Sequence, residues 1–383
     1  MKTIYMDNAA TSYPKPETVY QAIDNFNRNI GANPGRGSNQ QSLKSGSILV
    51  EAREALASLF NIADSNQIAF MANITEAINV GLKGILKKGD HVITTSMEHN
   101  SIARPLYAMT EQGGVEWTAV PCAPDGSLDP QNIKQVIKPH TKMICMLHAS
   151  NLTGTIMPIE QVGQIASDHG VLFMVDSAQS AGVLPIDVER HNIDLLAFTG
   201  HKSLLGPQGT GGLYIKPGID IRPLKEGGTG SLSEHLAHPG MMPDLLESGT
   251  HNTPGIAGLL AGVEFINQTG INVIEEHEAA MTELLLSGLD AIKGLTVYGP
   301  RDIKRQTAVV AFNIDGIDCG AVSMMLDYEY GIITRAGTHC TPMAHKTIGT
   351  LELGACRLSP GFFTTPEEIQ AVIKAIATIA ARN

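Results

Sequence analysis

From about residue 45 to residue 215 the chain alternates short apolar runs with amphipathic stretches, and this alternation limits the fold more than any other feature. The strand-like runs are Ile68–Met71, His91–Thr95, Trp117–Pro121, Met143–His148, Val171–Asp176, Leu195–Thr199 and Gly212–Ile215. Between several of them lie helix-period segments. Ile48–Phe60 carries Leu49, Ala52, Leu56, Leu59 and Phe60 on one face, and Thr75–Leu86 is a second such stretch. Strand and helix in turn predict an α/β architecture of βαβ units around a mainly parallel sheet flanked by helices. Such a sheet takes its ligand at the C-terminal strand edges, where the connecting loops gather.

After about Asn252 the pattern changes. Helical periodicity runs through Glu264, breaks at Gly270 and resumes over Val273–Ile292. A strand-like run, Thr307–Ile314, and a glycine-containing stretch around Ile332–Gly337 follow. Pro366–Arg382 places Ile369, Val372, Ile373, Ile376 and Ile379 on one helical face. We therefore expect a large domain over 20–255. A smaller α+β domain, built from 1–19 and 256–383, is expected to close over it.

Composition narrows the range of functions. A chain of 383 residues buries a core without needing staples. Its 27 basic residues against 38 acidic ones give a net charge of −11, and no basic run is present, so nucleic acid is not an expected partner. No apolar stretch approaches a membrane span, and Asp7 and Asn8 interrupt the start, so neither a span nor a signal peptide is expected. The five cysteines are odd in number and lack C-x-x-C spacing. A disulfide framework or zinc ribbon is disfavoured, and a reduced, cytoplasmic setting with no metal site is expected.

Two charged groups sit where strands end. Val171–Val175 runs into Asp176, and Leu195–Thr199 runs into Gly200-His201-Lys202, followed by the glycine-rich run Gly206–Gly212. From 176 to 202 is 26 positions, about one crossover, so the two strand ends can be neighbours. Singly, each has an ordinary reading: the aspartate as a helix cap, the lysine as a solvated loop residue. Together they match the needs of pyridoxal 5'-phosphate. The amine bonds the cofactor's aldehyde carbon, and the carboxylate keeps the pyridine nitrogen protonated so that the ring draws electrons.

Five blocks in order extend the match: Tyr5-Met-Asp-Asn-Ala-Ala-Thr11, Met97-Glu-His-Asn-Ser101, His148-Ala-Ser-Asn-Leu-Thr-Gly154, Val175-Asp-Ser-Ala-Gln179 and Gly200-His-Lys202. The chain resembles the cysteine desulfurase/selenocysteine lyase family, within the class V aminotransferase group of pyridoxal-phosphate enzymes, fold type I. The resemblance implies that Lys202 holds the cofactor and Asp176 faces its ring nitrogen. Gln179 and Asn151 would bond the phenolic-oxygen side, and His99 would stack on the ring as a proton carrier. Ile74 and Thr75, opening a helix, would bind the phosphate with Thr199 and His201. Asn73 stands where the family more often has glycine. The block around Glu247–Thr253 resembles a segment that reaches the phosphate across a homodimer interface, making Thr250 the second subunit's contribution.

Arg335-Ala-Gly-Thr-His-Cys340 resembles the Arg-x-Gly-x-His-Cys motif of the short-loop branch, which carries a nucleophilic cysteine. Thr338 stands where a second histidine is frequent. An Arg and a His beside a loop cysteine suit a thiolate; Cys145, inside an apolar run, reads instead as a buried small hydrophobe, and Cys122, Cys319 and Cys356 lean the same way. Arg357 matches the arginine that binds the substrate carboxylate, with Arg335 as a second substrate residue. Asn8, Ala10 and Thr11 match the substrate-lining N-terminal stretch. Arg36 reads either as an active-site group or as a solvated turn.

The implied reaction converts L-cysteine to L-alanine with a persulfide on Cys340, and a sulfur-acceptor protein is the implied partner. Three alternatives stand beside it. The first is L-selenocysteine as substrate. The second is another class V lyase or aminotransferase reaction. The third is a nucleotide-binding module resting on Gly206–Gly212, a run that lacks both the G-x-G-x-x-G spacing and a Walker ending.

Overall fold

The structure is a computed structural model describing residues 3–34 and 39–382; Arg36 lies outside the described residues. β1 (Ile4–Tyr5) opens the chain. The main sheet follows as β2 (Ile68–Met71), β3 (His91–Thr95), β4 (Glu116–Val120), β5 (Thr141–Leu147), β6 (Leu172–Asp176), β7 (Leu195–Thr199) and β8 (Gly211–Ile215). Their spatial order is β2-β8-β7-β6-β5-β3-β4. β8 runs antiparallel to both neighbours, and the other pairings are parallel. The physical reason is the connection: no helix crosses over between β7 and β8, so the chain folds straight back on itself. The β6 to β7 connection is likewise made of turns, yet the two strands are direct neighbours, with Asp176 opposite Ala197.

Both faces of this sheet are covered, which is why its central strands read as continuous apolar runs. On β6, Phe173 and Val175 join one core with Phe60, Phe198 and Leu259, while Met174 joins the other with Ile78, Leu82, Leu106 and Met143. The helix Thr253–Thr269, which spans the expected boundary at 255, places Ile256, Leu259, Val263 and Ile266 in the first of these cores. Its Gly/Ala/Leu-rich sequence is apolar nearly all round, and it is buried against the helices Glu17–Asn25 and Gln40–Phe60.

The C-terminal third adds β9 (Leu295–Tyr298), β10 (Val310–Ile314), β11 (Ile332–Ile333), β12 (Arg335–Gly337) and β13 (Ala355–Leu358). Four of them form an antiparallel sheet, β12-β13-β10-β9, and β11 pairs in parallel with β1. A third core lies beneath, with Leu285 and Leu289 from the helix Ile271–Asp290, Phe312, Val322, and Ile369, Val372 and Ile376 from the helix Pro366–Ala380. That last helix starts on a capping box between Thr365 and Glu368. The strand expected over 307–314 begins later, at Val310, because the Gln306 side chain donates to the Val309 carbonyl and Gln306 bridges to Thr155.

One buried ion pair fastens the coil before the helix Thr253–Thr269 to the outer strand β2. Glu247 accepts from Arg53 Nη2 at 2.6 and 2.8 Å and from the Phe70 N–H at 2.6 Å, and His251 Nε2 lies 3.2 Å away. Arg53 also donates through Nε to the Ile68 carbonyl, and its guanidinium lies 4.8 Å over the Phe70 ring. Removing one partner strands the other charge in the interior. Arg53→Ala is expected to cost about 3–5 kcal/mol in urea denaturation, far more than alanine at the exposed Arg190 of the Arg190–Glu160 pair.

Candidate active site

The parallel ends of β5, β6 and β7 lie side by side, with Leu147 opposite Asp176 and Asp176 opposite Ala197. This register sets the Asp176 carboxylate beside the turn that carries Lys202. Asp176 is buried, with Oδ1 accepting from the Ala178 N–H at 2.9 Å and Oδ2 from the Ser101 hydroxyl at 3.4 Å. Burial raises its carboxyl, and the Ala178 N–H and the Lys202 amine pull it back. Burial pushes the Lys202 amine down to about 8; Asp176 opposes, while Arg357 and Arg335 push the same way as burial. Gly200 allows this turn to pack on the start of β8, since an added Cβ would sit 2.1 Å from Thr210 Oγ1.

The neighbours of Lys202 are tied to the N-terminal segment. The His201 carbonyl accepts from the Thr11 hydroxyl and the Ser12 N–H, each at 3.0 Å, while His201 Nδ1 is buried without a partner among the described residues. Thr199 is buried, with its hydroxyl 3.4 Å from the Thr210 carbonyl. Gln179 donates to the Ala9 carbonyl at 2.9 Å. Asn8 donates to the Ser359 carbonyl at 3.0 Å, and the Ala10 N–H to the Asp7 carbonyl at 3.0 Å.

His99 caps the helix Asn100–Gly113: its Nδ1 accepts from the Ser101 N–H at 3.1 Å and lies 2.9 Å from the Ser101 hydroxyl. Ser101 thus links imidazole and Asp176. Burial, with Lys202, Arg335, Arg104 and Arg357 nearby, pushes His99 down to about 4. An imidazole lowered this far is neutral near pH 7.

Arg357, in β13, has no exposed surface. Its Nη1 donates to the Asn151 carbonyl at 2.8 Å and its Nη2 to Asp7 Oδ1 at 2.6 Å, while Nε–H has no partner among the described residues. Arg335 lies opposite it across β12 and β13, and its Nη2 lies 3.7 Å from Cys340 Sγ. Cys340 is exposed, whereas burial pushes the thiols of Cys122 and Cys356 up to about 11 and about 12 and that of Cys145 well above its ordinary range.

The Cys340 turn is docked, not free. His339 and Cys340 both take the left-handed backbone region (φ 51° and 58°), which costs non-glycine residues about 1–3 kcal/mol each. The Asn151 amide donates to the His339 carbonyl at 2.9 Å, the Asn100 N–H to the Cys340 carbonyl at 2.9 Å, and the Thr341 hydroxyl to the Glu98 carbonyl at 3.0 Å. The buried His339 ring stacks on His345 at 5.6 Å.

The remaining expected residues lie around the start of β8, where a Cβ added at Gly211 would sit 3.0 Å from Asn73 Cα and Asn252 donates to the Gly209 carbonyl at 3.0 Å. Thr75 is exposed in the first turn of the helix Ile74–Ile85, and Ile74 is buried. The Asn73 side chain caps the Glu76 N–H, and the Ile74 and Thr75 N–H groups precede any intrahelical acceptor. Thr250 is exposed in a cavity lined by Phe70, Glu76, Lys225, Glu247 and Asn252. Asp7, Ser101 and Thr341 are site residues to which sequence reasoning assigned no role. Asp7 offered one signal, an acidic residue closing a short apolar run; its partner lies 350 positions away.

The family described as aminotransferase class-V matches residues 4–372. A protein of Methanothermobacter thermautotrophicus named probable cysteine desulfurase is 35% identical over 98% of this chain and 94% of its own length. The chain belongs to the cysteine desulfurase family. The cysteine desulfurase of Pectobacterium atrosepticum is 32% identical over 98% of this chain and 92% of its own. An apo structure of the cysteine desulfurase from Thermococcus onnurineus superposes with a TM-score of 0.94 at 32% identity, covering 100% of this chain and 95% of that one.

A lowered amine gives a signed prediction. The unfolded chain binds the Lys202 proton up to the ordinary lysine range, the folded chain only to about 8. Between these values stability rises with pH, and below about 8 the penalty is constant. Lys202→Met is expected to melt higher than the parent chain at pH 7 without added ligand, an advantage that shrinks as pH rises from 8 towards 10.5. Calorimetry across that range checks it.

Proposed function

We propose that this member of the family is a pyridoxal 5'-phosphate-dependent cysteine desulfurase, converting L-cysteine to L-alanine and retaining the sulfur as a persulfide on Cys340. The reading is carried by an exposed thiol beside Arg335, on a turn docked against His99 at the sheet edge that presents Lys202 and Asp176.

The residues present fit the cofactor. A buried amine stands within electrostatic reach of a buried carboxylate, and polar atoms in the same region, His201 Nδ1 and Asn151 Oδ1, are buried without partners. Lys202 would hold the cofactor, Asp176 its ring nitrogen, and Gln179 and Asn151 its phenolic side. Ile74, Thr75, Thr199 and His201 would hold its phosphate, with Thr250 supplied by a second subunit. When bound, the group supplies an electron sink for negative charge developing at the substrate's α-carbon.

The chain's own residues do the rest. Arg357 keeps Nε–H free of protein partners and orients the substrate carboxylate, with Arg335, Asn8 and Ala10 lining the pocket. Lys202, with its amine pushed down to about 8, takes and returns the proton at the α-carbon. His99, neutral and held by Ser101, accepts the proton of the substrate thiol. The Cys340 thiolate attacks the substrate sulfur, the carbon–sulfur bond breaks with its electron pair left on carbon, and that carbon takes a proton to become the methyl group of alanine while the persulfide stays on the enzyme. Orientation by such fixed groups contributes several kcal/mol to lowering the barrier.

The same reading carries a homodimer and a protein acceptor for the persulfide. Light scattering on the cofactor-loaded chain tests the dimer.

Mass spectrometry after cysteine treatment is expected to show added sulfur on Cys340 with stoichiometric alanine. Cys340→Ser is expected to lose both by at least about 100-fold. Sulfur located on another residue, or keto acid consumed with alanine formation, overturns the reading. Retained release of selenide from L-selenocysteine by Cys340→Ser would assign selenocysteine lyase activity to the same scaffold.

A further inference from the structure

Glu98, between the sheet edge and His99, is a carboxyl group to which the chemistry above gives no task. It has no exposed surface. Its Oε2 accepts from the Leu147 N–H at 3.0 Å, and its Oε1 lies 2.6 Å from the Thr95 hydroxyl. Leu147 is the residue directly opposite Asp176 in the sheet. The Glu98 backbone carbonyl receives the Thr341 hydroxyl, next to Cys340. A single residue therefore joins the ends of β3 and β5, the His99 cap and the cysteine turn.

The groups facing Glu98 are Asp176 from β6, Cys145 from β5 and Cys122 after β4, and none of these is a cation. A buried carboxylate with an anionic neighbour and no counterion is unfavourable, and in practice such a group takes up a proton. The Thr95 hydroxyl donates to Oε1 at 2.6 Å and its oxygen accepts from the Met97 N–H at 3.2 Å; with Glu98 protonated, the second lone pair of the Thr95 oxygen can accept the carboxyl proton's hydrogen bond instead.

We propose that Glu98 is a positioning residue held as a neutral carboxylic acid, tying the Met97–Asn100 turn to the end of β5 while Asp176 keeps the negative charge of this edge. The second half rests on the cofactor reading above. Consistent with it, burial pushes Glu98 up to about 8, with Asp176 adding to the shift.

The test is an infrared difference spectrum, the purified full chain minus Glu98→Gln, with glutamate isotopically labelled. At pH 7 a protonated carboxyl C=O band is expected, disappearing as pH passes about 8. Carboxylate bands alone at pH 7 would overturn the proposal. Stability supplies a second readout. A carboxyl raised when folded loses stability between its unfolded value and about 8, so Glu98→Gln should melt above the parent chain at pH 8 and lose that gain by pH 5. The opposite trend also overturns it. Rescue separates positioning from bulk: iodoacetamide should modify Cys340 at the parental rate and pH profile in Glu98→Gln, and with an altered profile in Glu98→Ala. Equal profiles in all three chains would remove the positioning role. None of these readouts uses substrate, so failure here leaves the proposed activity standing.

Discussion

A guanidinium with no exposed surface, Arg357, gathers the rest of the site around it. Its Nη2 holds Asp7 at the start of the chain, its Nη1 holds the Asn151 carbonyl after β5, and its strand pairs with the one bearing Arg335. Removing such a cation from water is costly, and the Asp7 carboxylate offsets the cost only because the geometry is fixed on both sides. Its charge then acts outwards. It contributes to lowering Lys202, His99 and His339, so three basic groups of the site are biased towards their neutral forms. A neutral imidazole can take a proton, an amine brought down to about 8 can give up its own far more readily than an ordinary lysine, and an arginine whose Nε–H has no partner among the described residues can receive an anion.

The cysteine turn shows how an exposed residue can be held in place. Two consecutive left-handed residues are unfavourable on their own. They persist because three hydrogen bonds from Asn151, Asn100 and Thr341 hold the turn to the sheet edge and to the His99 turn. Cys340 thus keeps solvent access while its backbone is fixed, a combination suited to receiving sulfur from a bound molecule and presenting it outwards.

Much of this was legible in the chain. The runs of β2, β3 and β7 matched their strands residue for residue because strands covered on both faces are rich in apolar and β-branched residues, with only His91, Thr94, Thr95 and Thr199 polar among them. β13 was not legible: Ala355-Cys-Arg-Leu358 is too short for a periodicity, and it carries a buried arginine where a strand core ordinarily has none. The helices Asn100–Gly113 and Cys319–Tyr330 were also missed, the first because Pro105 and polar residues interrupt its apolar face. Asp7 and Ser101 were quoted within motifs and given no role, since what they do depends on partners remote in sequence.

The sequence alone determined the sheet class, the Asp176 and Lys202 strand ends, and the family-like blocks, because each rests on residues within one strand and its following turn. Tertiary structure alone decided that Arg357 meets Asp7, that Ser101 bridges His99 to Asp176, and that Glu98 faces Asp176 with no paired cation among the described residues. Local pattern encodes which face of an element is apolar. Which charges share a buried volume, and hence where their protons reside, is set by contacts between segments far apart in the chain.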